Sequence, residues 1–214
     1  MNIQHKYIVI EGNIGAGKTT LATKISEQFG GKLILEQFQD NPFLPKFYKN
    51  PERYSFTLEL SFLAARYKQL NKEITSTDLF TKFTIADYYF VKSLIFAKAT
   101  LQNDEYNLYR TLFDIIYKQL PVPDIYIYLH KSPEQLLQNI AKRNRDYEKS
   151  ITADYLKSIQ QNYFEFFKTE SRFPVLIVET TDIDFVNNKN HYNKILDIIF
   201  NKKINKGINR VFLE

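Results

Sequence analysis

Tyr7-Ile8-Val9-Ile10-Glu11-Gly12-Asn13-Ile14-Gly15-Ala16-Gly17-Lys18-Thr19-Thr20 is the stretch whose reading decides the fold. Tyr7 to Ile10 form an apolar run without polar alternation, the pattern of a strand covered on both faces. The run leads into Gly12 to Thr19, which satisfies the G-x-x-x-x-G-K-T phosphate-loop pattern with a strand before it and a helix after it. Glycines let the backbone curl until its N–H groups face one point, and the helix that starts there adds its positive end. In such a loop Lys18 reaches the β and γ phosphates of a nucleoside triphosphate, and the Thr19 hydroxyl holds Mg²⁺. The candidate phosphate-binding residues are therefore Gly12, Asn13, Ile14, Gly15, Ala16, Gly17, Lys18, Thr19 and Thr20.

Outward from this loop the same grammar repeats. Short apolar runs at Tyr7 to Ile10, Lys32 to Leu35, Phe83 to Ala86, Asp124 to Leu129 and Pro174 to Val178 read as buried strands. Between and after them, helical patterns run over Lys18 to Phe29, Glu52 to Ile74, Tyr88 to Leu101, Tyr106 to Gln119, Pro133 to Lys142, Ala153 to Lys168 and Phe185 to Asn201. Pro51 and Pro133 stand where first-turn prolines belong. The alternation predicts an α/β fold: a five-stranded parallel sheet with helices on both faces. No Gly, Ser or Pro-rich linker and no fixed-period repeat divides residues 1–214, so a single domain is the expectation. In such sheets ligands collect at the carboxyl ends of the strands.

Composition narrows the class. Of 214 residues 44% are hydrophobic and 25% charged, which excludes extensive disorder. The absence of cysteine removes disulfides, thiolate nucleophiles and Cys-based zinc sites. The formal charge of +5 suits a small phosphate ligand as well as a nucleic acid polymer, and because the lysines are scattered no polymer partner is expected. The apolar run before the glycine loop is too short for a leader or a membrane span, so the expected location is cytoplasmic, with no membrane partner.

A phosphate loop leaves the acceptor open: water, or a small molecule. No guanine-reading NKxD sequence is present, and a compact small-molecule kinase becomes the leading reading. Glu36, in Leu35-Glu36-Gln37 at the end of the second strand, is either a base for an attacking hydroxyl or a solvated strand-end glutamate. Glu59 and Arg66 are seven positions apart and share one side of the long helix, among Leu58, Phe62 and Leu63.

Further stretches add a pattern that none carries alone. They are Asn41-Pro42-Phe43-Leu44, Phe47-Tyr48-Lys49, Pro51-Glu52-Arg53-Tyr54-Ser55-Phe56-Thr57-Leu58-Glu59 and Phe62-Leu63-Ala64-Ala65-Arg66-Tyr67-Lys68-Gln69-Leu70. Ile85-Ala86-Asp87-Tyr88, Ile95-Phe96-Ala97 and Arg143-Asn144-Arg145-Asp146-Tyr147-Glu148 continue it. With the phosphate loop and Glu36, the set resembles the deoxyribonucleoside kinase family over roughly residues 5 to 180, and most of all its bacterial deoxyguanosine kinases.

The resemblance implies a P-loop kinase fold with a short lid at about residues 139–151, ATP as phosphoryl donor, Mg²⁺, and the 5′-hydroxyl of a deoxynucleoside as acceptor. It assigns Glu36 as general base, and Tyr48 and Glu148 to the sugar 3′-hydroxyl. Glu59 and Arg66 match the base-reading pair, and Phe96 the aromatic on which the base stacks. A carboxylate at Glu59 accepts from the two donors on guanine's edge, N1–H and the 2-amino group, which favours deoxyguanosine. Asp87 lies where relatives carry an acidic residue that meets Mg²⁺ and phosphates, followed here by Tyr88 instead of Arg. Arg143 and Arg145 resemble the lid arginines that stabilise the moving phosphoryl group, while Asn139 replaces a further arginine. Asp184 and Phe185 resemble the loop over the donor's adenine. Family members are usually homodimers packed through helices, a role the apolar pattern of Tyr88 to Leu101 would suit. Alternatives from the sequence are a deoxyadenosine or broad-specificity deoxynucleoside kinase, a nucleoside monophosphate kinase, and a nucleotide-dependent switch or binding module.

Overall fold

The structure is a computed structural model that describes residues 4–37, 41–75 and 81–213. Its strands are β1 (Tyr7–Gly12), β2 (Lys32–Ile34), β3 (Thr84–Ala86), β4 (Ile125–His130), β5 (Val175–Glu179) and β6 (Ile208–Phe212). Its helices are α1 (Lys18–Phe29), α2 (Leu44–Lys49), α3 (Pro51–Thr75), α4 (Val91–Thr100), α5 (Asn103–Tyr117), α6 (Pro133–Arg143), α7 (Ala153–Thr169) and α8 (Lys189–Phe200), with a 3₁₀ turn at Asp146–Glu148. The strands form one parallel sheet in the order β2-β3-β1-β4-β5-β6. From β1 the chain crosses to the edge strand β2, returns to β3 between β2 and β1, and then adds β4, β5 and β6 in turn on the other side of β1. The direction reverses at β1, so the crevice beside its carboxyl end is the switch point where ligands bind in doubly wound sheets.

The alternation of side chains sorts the core into two layers. In β4, Ile125, Ile127 and Leu129 join Ile8 and Ile10 of β1 against α1, α6 and α8. Tyr126 and Tyr128 point the other way with Val9, against α3, α4, α5 and α7. A third cluster, Leu44, Phe47, Leu58 and Phe62, joins α2 to α3 beside the switch point.

The sheet has six strands, not the five anticipated. β6 pairs with β5 from Val175↔Ile208 to Glu179↔Phe212 at the sheet edge, where Ile208 and Phe212 remain exposed. Only one of its faces is covered, so the sequence Ile208-Asn209-Arg210-Val211-Phe212 lacks the continuous apolar run that marks the inner strands. The opposite edge differs from expectation as well: β2 buries only Ile34 fully.

Three local departures have visible causes. The helix anticipated from Tyr88 begins at Val91, because Tyr88, Tyr89 and Phe90 pass through the core and the Tyr89 N–H donates to the Glu11 carboxylate at 2.9 Å. The helix anticipated from Phe185 begins at Lys189. The Asp184 carboxylate accepts from the N–H groups of Val186 and Asn187, holding a turn, and Asn188 caps the helix instead. α2 was not anticipated and is only six residues long. Pro51 and Pro133 do open α3 and α6, and the Ser132 side chain caps α6.

Candidate active site

The loop after β1 is fixed mainly by backbone and buried contacts. Gly15 and Gly17 take φ values of 82° and 91°, a conformation that disfavours side chains. A Cβ at Gly17 would come within 2.7 Å of the Phe185 ring, and one at Gly15 within 2.8 Å of the Leu136 carbonyl. The Asn13 side chain donates to the Leu156 carbonyl at 2.7 Å, and Asn139 donates to the Gly15 carbonyl at 2.8 Å. Asn139 therefore braces the loop from α6. Lys18 curls over the loop to the Asn13 carbonyl at 2.9 Å. Burial, then the like charge of Lys92, lower its pKa to about 8 against the pull of Glu11, Glu36 and Asp87.

At the carboxyl ends of the neighbouring strands, one residue ties the site together. Asp87, after β3, accepts from the Thr19 hydroxyl at 2.5 Å with one oxygen and from the Glu36 N–H at 2.8 Å with the other. A hydroxyl and a carboxylate meeting beside a phosphate loop are the hard oxygen donors that Mg²⁺ takes when phosphates and water complete its shell. No cluster of three or more His, Cys, Asp or Glu that could hold a metal ion occurs among the described residues.

Glu36 is held by two cations. Arg66 donates to Oε1 through Nε at 2.9 Å and Nη2 at 2.7 Å, and Lys92 forms an ion pair with Oε2. Burial acts to raise the Glu36 pKa, but the charges and hydrogen bonds of Lys92 and Arg66 outweigh it and hold the carboxyl at about 2. Arg66 is thus turned toward Glu36 and, through Nη1, toward Ser93 at 2.9 Å, not toward Glu59. Glu59 is 2% exposed; its Oε1 accepts from the Thr100 hydroxyl at 3.0 Å, and its Oε2 has no partner. Burial lifts its pKa to about 7, restrained by the Arg66 charge and the Thr100 hydrogen bond.

One cleft joins these groups. Ile14, Gly15, Lys18 and Thr19 of the phosphate loop line it together with Glu36, Asp87, Glu59, Arg66, Phe96 and Tyr48. Arg143, Arg145 and Glu148 close over it, with the Arg143 guanidinium on both Glu148 oxygens at 2.6 Å. Tyr48 stacks on Tyr147 at 5.9 Å between ring centroids. Gly12, Asn13, Ala16 and Gly17 form the framework behind the cleft. Thr20, Asp184 and Phe185 do not line it: Asp184 is exposed in its own turn, and Phe185 is buried against Gly17.

Four residues of this region escaped the sequence reading. Lys92 places an ammonium on Glu36 from the first turn of α4; the available signal was a lysine near the start of the apolar stretch Tyr88 to Leu101. Tyr147 and Tyr155 line the same cleft. Glu11, wholly buried under the loop, accepts from Tyr89 N–H and from the Tyr163 hydroxyl at 3.1 Å. Burial raises its pKa despite Lys92 and Lys18 nearby.

The parallel sheet, the glycine loop after its pivotal strand and the adjoining polar cleft define a P-loop α/β protein of the phosphotransferase type. A family model, Deoxynucleoside kinase, matches residues 8–205, and the chain belongs to that family. It is 42% identical over 195 residues to a deoxyguanosine kinase of Bacillus subtilis (strain 168), covering 88% of this chain and 93% of the relative. It is 34% identical over 192 residues to a deoxyadenosine kinase of Dictyostelium discoideum, covering 85% and 77%. Among solved structures, deoxyadenosine kinase from M. mycoides with bound dATP superposes with a TM-score of 0.77 at 28% identity, covering 89% of this chain and 97% of that one.

Proposed function

We propose that this kinase transfers the γ-phosphoryl group of ATP to the 5′-hydroxyl of a purine deoxynucleoside, with deoxyguanosine preferred. The observation that carries the reading is the one cleft that Lys18, Thr19, Glu36 and the buried, half-satisfied carboxylate of Glu59 line together. In the transfer step the 5′-oxygen bonds to the γ phosphorus, the bridging P–O bond to ADP breaks, and the hydroxyl proton passes to Glu36. A carboxylate held near pKa 2 is a weak base, which is sufficient for a loose transition state where little charge develops on the nucleophile until late. Arg66 and Lys92 fix its direction. Lys18, Arg143 and Arg145 neutralise the phosphoryl oxygens, with Gly12 to Thr20 cradling the donor phosphates. Thr19 and Asp87 would hold Mg²⁺, which would supply charge neutralisation for the donor phosphates.

Residues 139–151 act as a lid: exchanging the Arg143–Glu148 pair for ligand contacts frees the guanidinium for phosphate and the carboxylate, with Tyr48, for the 3′-hydroxyl. Glu59 reads the base edge and Phe96 stacks on it. Asp184 and Phe185 support the donor side, Phe185 by packing under Gly17. The chain works as one domain in the cytoplasm, without a nucleic acid polymer as partner; among the described residues no helix is long and apolar enough to cross a membrane. Its homodimer face is on α5 and not on the core-packed α4. Leu108, Leu112 and Ile115 follow helical spacing there and are 55%, 36% and 59% exposed. The deoxyadenosine kinases among the relatives favour a second reading in which deoxyadenosine is also accepted.

The test is ATP-dependent phosphorylation of the four deoxynucleosides by purified protein with Mg²⁺, with dGMP as control. Dominant deoxyguanosine turnover is the expected result. Turnover of dGMP alone would make the protein a monophosphate kinase, and ATP hydrolysis indifferent to every nucleoside would make it a switch.

A further inference from the structure

Among the described residues no cation touches the carboxylate of Glu59, at the proposed base end of the cleft. Thr100 gives Glu59 one neutral hydrogen bond, on Oε1, and Oε2 is buried without a partner. The nearest guanidinium, Arg66 two turns further along α3, spends its nitrogens on Glu36 and Ser93. A buried carboxyl in this setting gains by binding either a proton or two donors from a ligand.

The two forms of such a group read different bases. An ionised carboxylate is acceptor-only and complements the N1–H and 2-amino donors of guanine. A carboxylic acid offers one O–H and one acceptor oxygen, the pattern of an amide. That pattern complements adenine, whose N1 accepts and whose 6-amino group donates. Cytosine presents the same alternation at N3 and the 4-amino group.

We propose that Glu59 chooses the base by its own protonation state, taking deoxyguanosine as the carboxylate and admitting deoxyadenosine and deoxycytidine as the carboxylic acid. The proposal rests on the reading above that Glu59 meets the base. It gives one site two substrate classes, exchanged by a single proton.

The surroundings leave Glu59 as the group that titrates near neutrality at this end of the cleft. Its pKa is lifted by burial to about 7. Arg66 on its own helix has its pKa raised, and Glu36 after β2 is held at about 2. Tyr48 on α2, Tyr109 on α5 and Tyr155 on α7 are all pushed up by burial, away from neutral pH. Lys92 on α4 is paired with Glu36, and Glu148 with Arg143. Lys18, at about 8, sits on the donor phosphates common to every acceptor.

A competition assay isolates the effect. Equimolar deoxyguanosine and deoxyadenosine are offered with saturating ATP and Mg²⁺ from pH 6 to pH 8, and the ratio of the two monophosphates is read. Changes in donor binding cancel in that ratio. The expected result is a dGMP to dAMP ratio that rises about tenfold per pH unit, because the two products require forms of Glu59 differing by one proton. In Glu59→Gln the ratio should be flat with pH and shifted toward dAMP. A flat ratio in the unaltered protein overturns the proposal, and it does so whether or not the variant folds. If the ratio is flat but Glu59→Gln still shifts it, Glu59 reads the base without exchanging a proton. If Glu59→Gln matches the unaltered protein at every pH, the base-reading role falls together with the proposal. Absence of both products overturns the proposed kinase activity itself.

Discussion

Glu36 and Glu59 line one cleft, and the protein treats these two buried carboxylates in opposite ways. Their burial is similar, at 8% side-chain exposure for Glu36 and 2% residue exposure for Glu59, so burial is not what separates them. The difference is the placement of cations. Glu36 has a guanidinium on one oxygen and an ammonium on the other, and its pKa falls to about 2. Glu59 has a hydroxyl on one oxygen and nothing on the other, and its pKa rises to about 7. Glu36 is locked in one charge state by its partners, whereas Glu59 keeps hydrogen-bonding capacity unspent.

The largest effect that can break this comparison is on stability. Glu36→Gln leaves Arg66 and Lys92 buried without their counter-charge and should cost about 3–5 kcal/mol in denaturant unfolding. Glu59→Gln should act in the other direction, gaining about 1–3 kcal/mol at pH 8 by removing a buried, uncompensated charge. The same signs govern pH. Glu36 has a depressed pKa, so its stabilisation is complete above the ordinary carboxyl value of about 4.5 and is lost as pH falls through about 2. Glu59 has a raised pKa, so its contribution is complete below about 4.5 and is lost as pH rises through about 7. Loss of stability in both variants would mean that the two carboxylates are not opposites.

Next in size is the role of the ammonium on Glu36. Lys92→Met should lower kcat about 10²-fold by releasing the carboxylate from its direction. It should also move the acid limb of the kcat/KM profile to higher pH, since a charge that lowers the Glu36 pKa is gone. A fall in kcat with an unmoved acid limb would make Lys92 a packing residue. The smallest effect serves as the control for both ends. Leu112→Lys on the exposed stripe of α5 should convert a dimer to a monomer in analytical ultracentrifugation while leaving turnover per chain within about twofold. A single species of unchanged mass would remove α5 as the interface.

What the sequence revealed follows the same division between local and assembled features. The phosphate loop was legible because its strand, glycines, lysine and helix are contiguous, and the structure keeps them so. β1, β4 and β5 announced themselves as continuous apolar runs, being covered on both faces. β6 did not, because an edge strand carries Asn209 and Arg210 without penalty and Arg210 even reaches Glu179. The partners of Glu36 were harder still. Arg66 was visible as a helix neighbour of Glu59, but only the folded chain shows that it turns to Glu36, 30 residues away in sequence. Lys92 arrives from 56 residues away. Long-range ion pairs leave no periodic trace in a single sequence.

The most direct test of this account is single turnover of deoxyguanosine by Glu36→Gln at saturating ATP, with ATP binding to the same preparation measured by titration to establish that it is folded. The account predicts that transfer falls by about 10²- to 10⁴-fold while ATP affinity stays within a few-fold. Turnover within about twofold of the unaltered protein, with ATP binding intact, would contradict it.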